Sequence, residues 1–304
     1  MEFFKRTTTI DFMKQRRKAA IFSGLVFVIS LLGLVLKGLN VGLDFRGGAQ
    51  IELSYPHPAD PSLVRASLLS AGFNDIQVQT YGAANAILVK LSPEGKSASD
   101  VTEAVHKALP EATIVQSETI GPQVGKAMVN RGFLAIMVCL LATMLYIAVR
   151  FEYRFAFSSA VALVHDPVLI LGIFAWWQIE FNLITLAALL TILGYSLNDT
   201  IVVYDRVREN FRKLRQRDVV DLMNLSINQT LSRTIMTSSL TLVVVLALLI
   251  FGGEVLFGFA LALSIGILIG TYSSIFVAGA LAVAMGLSRE HLIPTKVELV
   301  DDMP

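Results

Sequence analysis

Six runs of this sequence, 19–36, 132–149, 157–177, 183–203, 235–251 and 256–285, are apolar enough to confine the chain to a bundle of membrane helices. A span needs about 20 residues to cross roughly 30 Å of hydrocarbon. No water is available there for backbone amides, so each run must close its hydrogen bonds internally as a helix. The fifth run is short by that measure and the sixth generous. Composition agrees, with 54% of the 304 residues hydrophobic and 16% charged, outside the soluble globular range. A net charge of +1 and no basic domain argue against nucleic acid as a partner. The single cysteine, Cys139, lies in an apolar run, so neither an intrachain disulfide nor a thiolate metal cluster is expected.

Basic residues set the expected orientation. The first 18 residues carry six Lys or Arg, 150–154 two, and 205–233 seven, whereas the opposite short loops, 178–182 and 252–255, carry none. Both ends are therefore expected in the cytoplasm, with a cytoplasmic N-terminal segment 1–18, a basic loop 204–234 and a tail 287–304. Lys14, Arg16, Arg17 and Lys18 give the first run the look of a signal peptide. Its apolar length exceeds a usual signal core and no small-residue cleavage site follows, so it reads as an uncleaved anchor.

The segment 37–129 lies on the far side and reads as a small folded domain. Strand-like patterns cover 49–55, 75–80, 86–91 and 112–120, with a hairpin signal at 81–85. Helical patterns cover 61–71, with Asp60 as its cap and Gly72 as its stop, and 98–109. The order βαββαβ is that of the ferredoxin-like split motif. The expected fold is thus six membrane helices, the second to sixth within 130–286, with this small α+β domain between helices 1 and 2. Gly38, Gly42, Gly47 and Gly48 before its first strand suggest hinges.

Chemistry concentrates in the spans. Asp199 and Arg233 lie at membrane depth on consecutive runs, and an unpaired charge at a bilayer centre costs roughly 2.5–3.5 kcal/mol. Such residues mark proton, ion or substrate pathways. Antiparallel spans would bring the two to similar depth, where burial and a nearby guanidinium act oppositely on a carboxyl. Asn198, Thr200 and Tyr195 could supply neutral partners. A static ion pair fixing helix register is the alternative. His165-Asp166 forms a second polar pair beside Pro167, which should kink its helix; the pair could relay protons or only bond neighbouring spans. Gly258, Ala262, Gly266, Gly270, Ser274, Ala278, Ala282 and Gly286 form a ladder of small residues at every fourth position, a device for close helix packing. Four residues overshoot a turn, so the ladder should wind around its helix and not face one neighbour.

Several motifs together resemble the SecD/SecF family of bacterial protein export: Gly42-Leu43-Asp44-Phe45-Arg46-Gly47-Gly48, the stretch from Gly194 through Asn198-Asp199-Thr200 to Arg206, Leu231-Ser232-Arg233-Thr234-Ile235-Met236-Thr237-Ser238, Phe251-Gly252-Gly253 and Gly270-Thr271-Tyr272-Ser273-Ser274-Ile275. Asp166-Pro167 departs from it, since valine is expected after that aspartate. The resemblance implies membership of the resistance-nodulation-division superfamily and a place in the bacterial inner membrane, with the domain 37–129 periplasmic. It implies SecD as partner, work alongside the SecY–SecE–SecG translocon on preproteins delivered by SecA, and YajC and YidC as further candidate partners. The implied energy source is the proton gradient, with no cofactor, and Asp199 and Arg233 match the family's proton-pathway residues. An intramembrane aspartyl protease is disfavoured because Asn198, not glycine, precedes Asp199. Half of a small-molecule exporter would need a larger outer domain, and a mere scaffold would have no use for Asp199.

Overall fold

The computed structural model describes residues 8–74, 76–91, 98–214 and 217–287. A 3₁₀ turn, Met13–Gln15, leads into α1 (Arg16–Leu36) and the single turn α2 (Leu43–Arg46). A small domain follows: β1 (Gly48–Ser54), α3 (Pro61–Ser70), β2 (Ile76–Tyr81), β3 (Ala83–Leu91), α4 (Ala98–Ala108) and β4 (Thr113–Ile120). The long helices α5 (Pro122–Arg150), α6 (Tyr153–Trp177), α7 (Leu183–Lys213), α8 (Val219–Phe251) and α9 (Gly253–Ser273) complete the bundle. A π-turn (Ser274–Gly279) and α10 (Ala280–Ala284) prolong α9. Six helices are long and apolar enough to cross a membrane.

The sheet runs β2–β3–β1–β4, each neighbouring pair antiparallel, as the βαββαβ pattern requires. Alternation along β1 and β3 puts Ile51, Leu53, Ile87 and Val89 on one face, buried under Val64 and Leu68 of α3 and Val101 and Val105 of α4. Asp60 starts α3, its Oδ1 accepting from Ser62 N at 2.8 Å and Ser62 Oγ at 2.7 Å. The turn between β2 and β3 is tighter than the expected 81–85. Gly82 alone, at φ 74°, reverses the chain, which frees Ala83–Asn85 to join β3.

The tether into the domain is docked, not free. Gly42 N donates to Phe181 O at 2.9 Å, and Phe181 N to Asn40 O at 2.8 Å, which fastens it beside the α6–α7 turn. Asp44 Oδ2 accepts from Leu183 N at 2.9 Å, and Lys90 of β3 pairs with Glu180 at 2.9 Å. A Cβ on Gly42 would come within 2.6 Å of Glu180 Oε1 and 3.1 Å of Asn182 Cβ, so this glycine is closely packed against the α6–α7 turn. Gly47, at φ 79°, does use the left-handed region.

Within the bundle α7 and α9 run parallel. Gly258 faces Thr185, Gly266 faces Ile192 and Gly270 faces Ser196. These three glycines share α7, while Gly286, on the same every-fourth-residue row, meets nothing within 4 Å, so the row as a whole does not face one neighbour. The row of residues four apart is inclined to its helix axis, and a partner that crosses along the row stays in contact with it. Ala262 is buried with them, and Ser274 opens the π-turn.

The expected loop 204–234 is largely helical: α7 continues to Lys213 and α8 begins at Val219. Arg206 and Lys213 both pair with Glu209 at helical spacing, and Asn210 Nδ2 donates to Ser226 Oγ at 2.8 Å and Gln229 Oε1 at 2.9 Å, which holds the two extensions together. Helix α6 continues through Pro167. The tail beyond Leu287 and the start of the 75–80 strand at Asp75 lie outside the described residues. The N-terminal segment is strapped to α8. Asn228 accepts from Ile10 N at 2.9 Å and donates to Ile10 O at 2.8 Å, while Asn224 accepts from Met13 N at 2.9 Å. Met13 is buried in the core beneath.

Candidate functional site

Among the described residues two buried carboxyls lie in the bundle, and their surroundings differ. Asp166 of α6 is fully buried. Its Oδ2 accepts from Ser196 Oγ of α7 at 2.6 Å and from Ser273 Oγ of α9 at 2.7 Å, and its Oδ1 lies 2.9 Å from His165 Nδ1. Donors thus converge from three helices on both oxygens, which answers the heavy cost of burying a charge without partners. The small-residue packing of α9 on α7 makes this reach possible, since Gly270 sits against Ser196 itself, with Ser196 Cβ 3.1 Å from where a Cβ on Gly270 would be. The π-turn starts right after Ser273, and such turns often accompany functional sites because they re-aim side chains.

Asp199 of α7 is 3% exposed, and its Oδ2 has no hydrogen-bond partner among the described residues. The hydroxyl that acts on its carboxyl belongs to Ser238 of α8, which also lies 2.9 Å from Thr271 Oγ1. None of the expected polar neighbours is joined to it by a hydrogen bond among the described residues. Asn198 is exposed. Thr200 Oγ1 donates to Ser196 O of its own helix at 3.1 Å, and Tyr195 Oη is buried without a partner.

Arg233 corrects the depth argument. It is exposed, and among the described residues no ion pair joins it to Asp199. Similar depth does not imply facing. Ser238 is five residues on from Arg233, so at 100° per residue their side chains diverge by about 140°. With Ser238 on the Asp199 side, Arg233 points out of the bundle.

The sequence reading missed Ser196, Ser273, Ser238 and Thr271. All four lie inside the motifs quoted for the resemblance, and Ser273 stands next to the ladder position Ser274. Hydroxyls spaced to meet a known buried aspartate were the available signal.

The fold and site define a polytopic membrane protein with a carboxylate-bearing helical core and one ferredoxin-like domain between its first two spans. Residues 100–288 match the family described as protein export membrane protein SecD/SecF, C-terminal, and residues 33–56 match the SecD/SecF GG motif. The chain belongs to the SecD/SecF family, and its relatives are SecF subunits. It is 44% identical to the protein translocase subunit SecF of Vibrio alginolyticus over 100% of its own length and 99% of that protein. It is also 44% identical to the SecF of Pseudomonas aeruginosa, over 97% and 98%. The crystal structure of SecDF, a translocon-associated membrane protein from Thermus thermophilus, matches with TM-score 0.82 at 38% identity over 93% of the chain. The chain spans 39% of that longer SecDF protein. A SecDF structure in the super-membrane-facing form gives TM-score 0.73.

Proposed function

We propose that the chain, paired with SecD, spends the proton-motive force on preprotein movement through the SecY–SecE–SecG translocon, and that Asp199 is its proton-carrying group. The contrast between the two aspartates carries this reading. Asp166 is held by three partners and acts as a fixed point of the bundle. Asp199 is equally shielded yet has an oxygen free of partners, the condition of a group that must change its proton and its contacts during a cycle. One proton crossing 100 mV releases about 2.3 kcal/mol, enough to bias a two-state arrangement of helices.

Arg233 fits the same reading through the partner. A guanidinium exposed at membrane depth is costly in lipid, so the face of α8 bearing Arg233, together with the exposed Asn198 of α7, turns toward SecD. The basic N-terminal segment and the basic hairpin ends face the cytoplasm of the bacterial inner membrane, and the sheet domain faces the periplasm. Its output is movement of that domain, which the cleft of about 700 Å³ between sheet and helix ends allows.

The test is export by Asp199→Asn cells. The variant keeps size and hydrogen bonding but cannot titrate, so it should insert, bind SecD and fail to support proton-driven export. Wild-type export from that strain overturns the assignment.

A further inference from the structure

On the side of the bundle away from Asp199, a groove of about 850 Å³ opens between α1, α6 and the π-turn with α10. Arg16 and Arg17 stand at one end and the ring of His165 at the other. The wall between is apolar, with Gly24, Val164 and Phe276 among its residues. Of its few polar groups, His165 Nε2 is buried without a partner among the described residues, while the others are engaged. Ser23 Oγ lies 2.9 Å from Tyr272 Oη, and His165 turns Nδ1 to Asp166 and stacks its ring on Phe27 at 6.1 Å.

We propose that this groove seats one acyl chain of an anionic phospholipid, with the headgroup phosphate on Arg16 and Arg17. Three observations choose this occupant. The first is length. From Arg17 to Phe27 the helix rises about 15 Å at 1.5 Å per residue, which is one leaflet of a hydrocarbon core about 30 Å thick. The charged end therefore sits at headgroup level when the histidine end sits at the bilayer midplane.

The second is shape. The groove, about 850 Å³, opens along an apolar wall, and an extended hydrocarbon that can lie along it is far thinner than a helix about 10 Å across. The third is charge. Among the described residues neither arginine has an ion-pair partner, so both guanidiniums are free for a phosphate, which arginine binds through paired donors. A chain seated here also keeps water from the His165 end of the Asp166 network.

The test uses the full chain co-produced with its SecD subunit, stripped of lipid and titrated with dioleoyl-phosphatidylglycerol or dioleoyl-phosphatidylcholine under native mass spectrometry. One phosphatidylglycerol should bind more tightly than phosphatidylcholine. The double variant Arg16→Gln, Arg17→Gln should lose that preference, by roughly fivefold per arginine. Gly24→Leu should reject both lipids while the protein stays folded, because a Cβ at Gly24 meets nothing within 4 Å and the leucine projects into the groove. Equal binding of the two lipids by the parent chain overturns the proposal, as does undiminished binding by Gly24→Leu. Loss of SecD from the Gly24→Leu complex also overturns it, since the groove would then hold a partner helix.

Discussion

Ser273 gives its hydroxyl to Asp166 across 2.7 Å from the last residue of α9, where that helix widens into the π-turn. The bond crosses between helices whose only other reason to meet is shape. Removing it leaves a buried carboxyl short of one donor. Ser273→Ala should therefore lower unfolding stability by about 1–2 kcal/mol, above the ~0.6 kcal/mol average for interhelical bonds in membranes because the acceptor is a carboxyl. Thermal unfolding in detergent measures it. A variant as stable as the parent would show the network to be slack.

Asp199 should behave in the opposite way. Its Oδ2 has no partner to lose, so Asp199→Asn should leave stability unchanged or raise it. The same unfolding assay decides this, and a loss comparable to that of Ser273→Ala would restore the static role for Asp199.

The seat of α9 on α7 can be probed by volume exchange. A Cβ on Gly266 would meet Ile192 Cδ1 at 2.5 Å, so Gly266→Ala should cost about 1–3 kcal/mol through overpacking. In an Ile192→Ala background the same substitution should cost almost nothing. Equal costs in both backgrounds would mean that the two residues do not touch.

The outer domain is fastened by the pair Lys90–Glu180. Glu180→Gln should widen the spread of distances between spin labels on cysteines replacing Arg65 and Trp177, with Cys139 removed. An unchanged distribution would leave the docked tether as sufficient restraint.

The cap of α3 predicts a pH response. Ser62 donates twice to Asp60 and so holds its carboxyl below the ordinary carboxylate range. A native value lower than the unfolded one gives stability that is complete above about pH 4 and fades as the pH falls through the native value. Protection of the Ser62 and Leu63 amides, taken relative to their intrinsic exchange rates, should therefore fall below about pH 4 in the parent but not in Asp60→Asn.

What the sequence made legible follows from periodicity. The six apolar runs and the βαββαβ order each rest on repeats that only one kind of element satisfies, and Asp60 and Gly72 marked a helix at both ends. Rotation about a helix axis was not legible. Depth can be counted from Asp199 and Arg233, but which way Arg233 points depends on where the neighbouring helices stand. The helical reach of 204–234 escaped because Arg206, Glu209 and Lys213 stabilise helix by pairing with one another, which leaves no apolar run to see.

The asparagine strap has a consequence for biosynthesis. Ile10 leaves the ribosome early, yet the side chain that reads its backbone, Asn228, lies 218 residues later. At about 5–20 residues per second, that interval is roughly 10–40 s. Throughout it the first helix is threaded but unlatched, so the segment ahead of it settles only after α8 has been made.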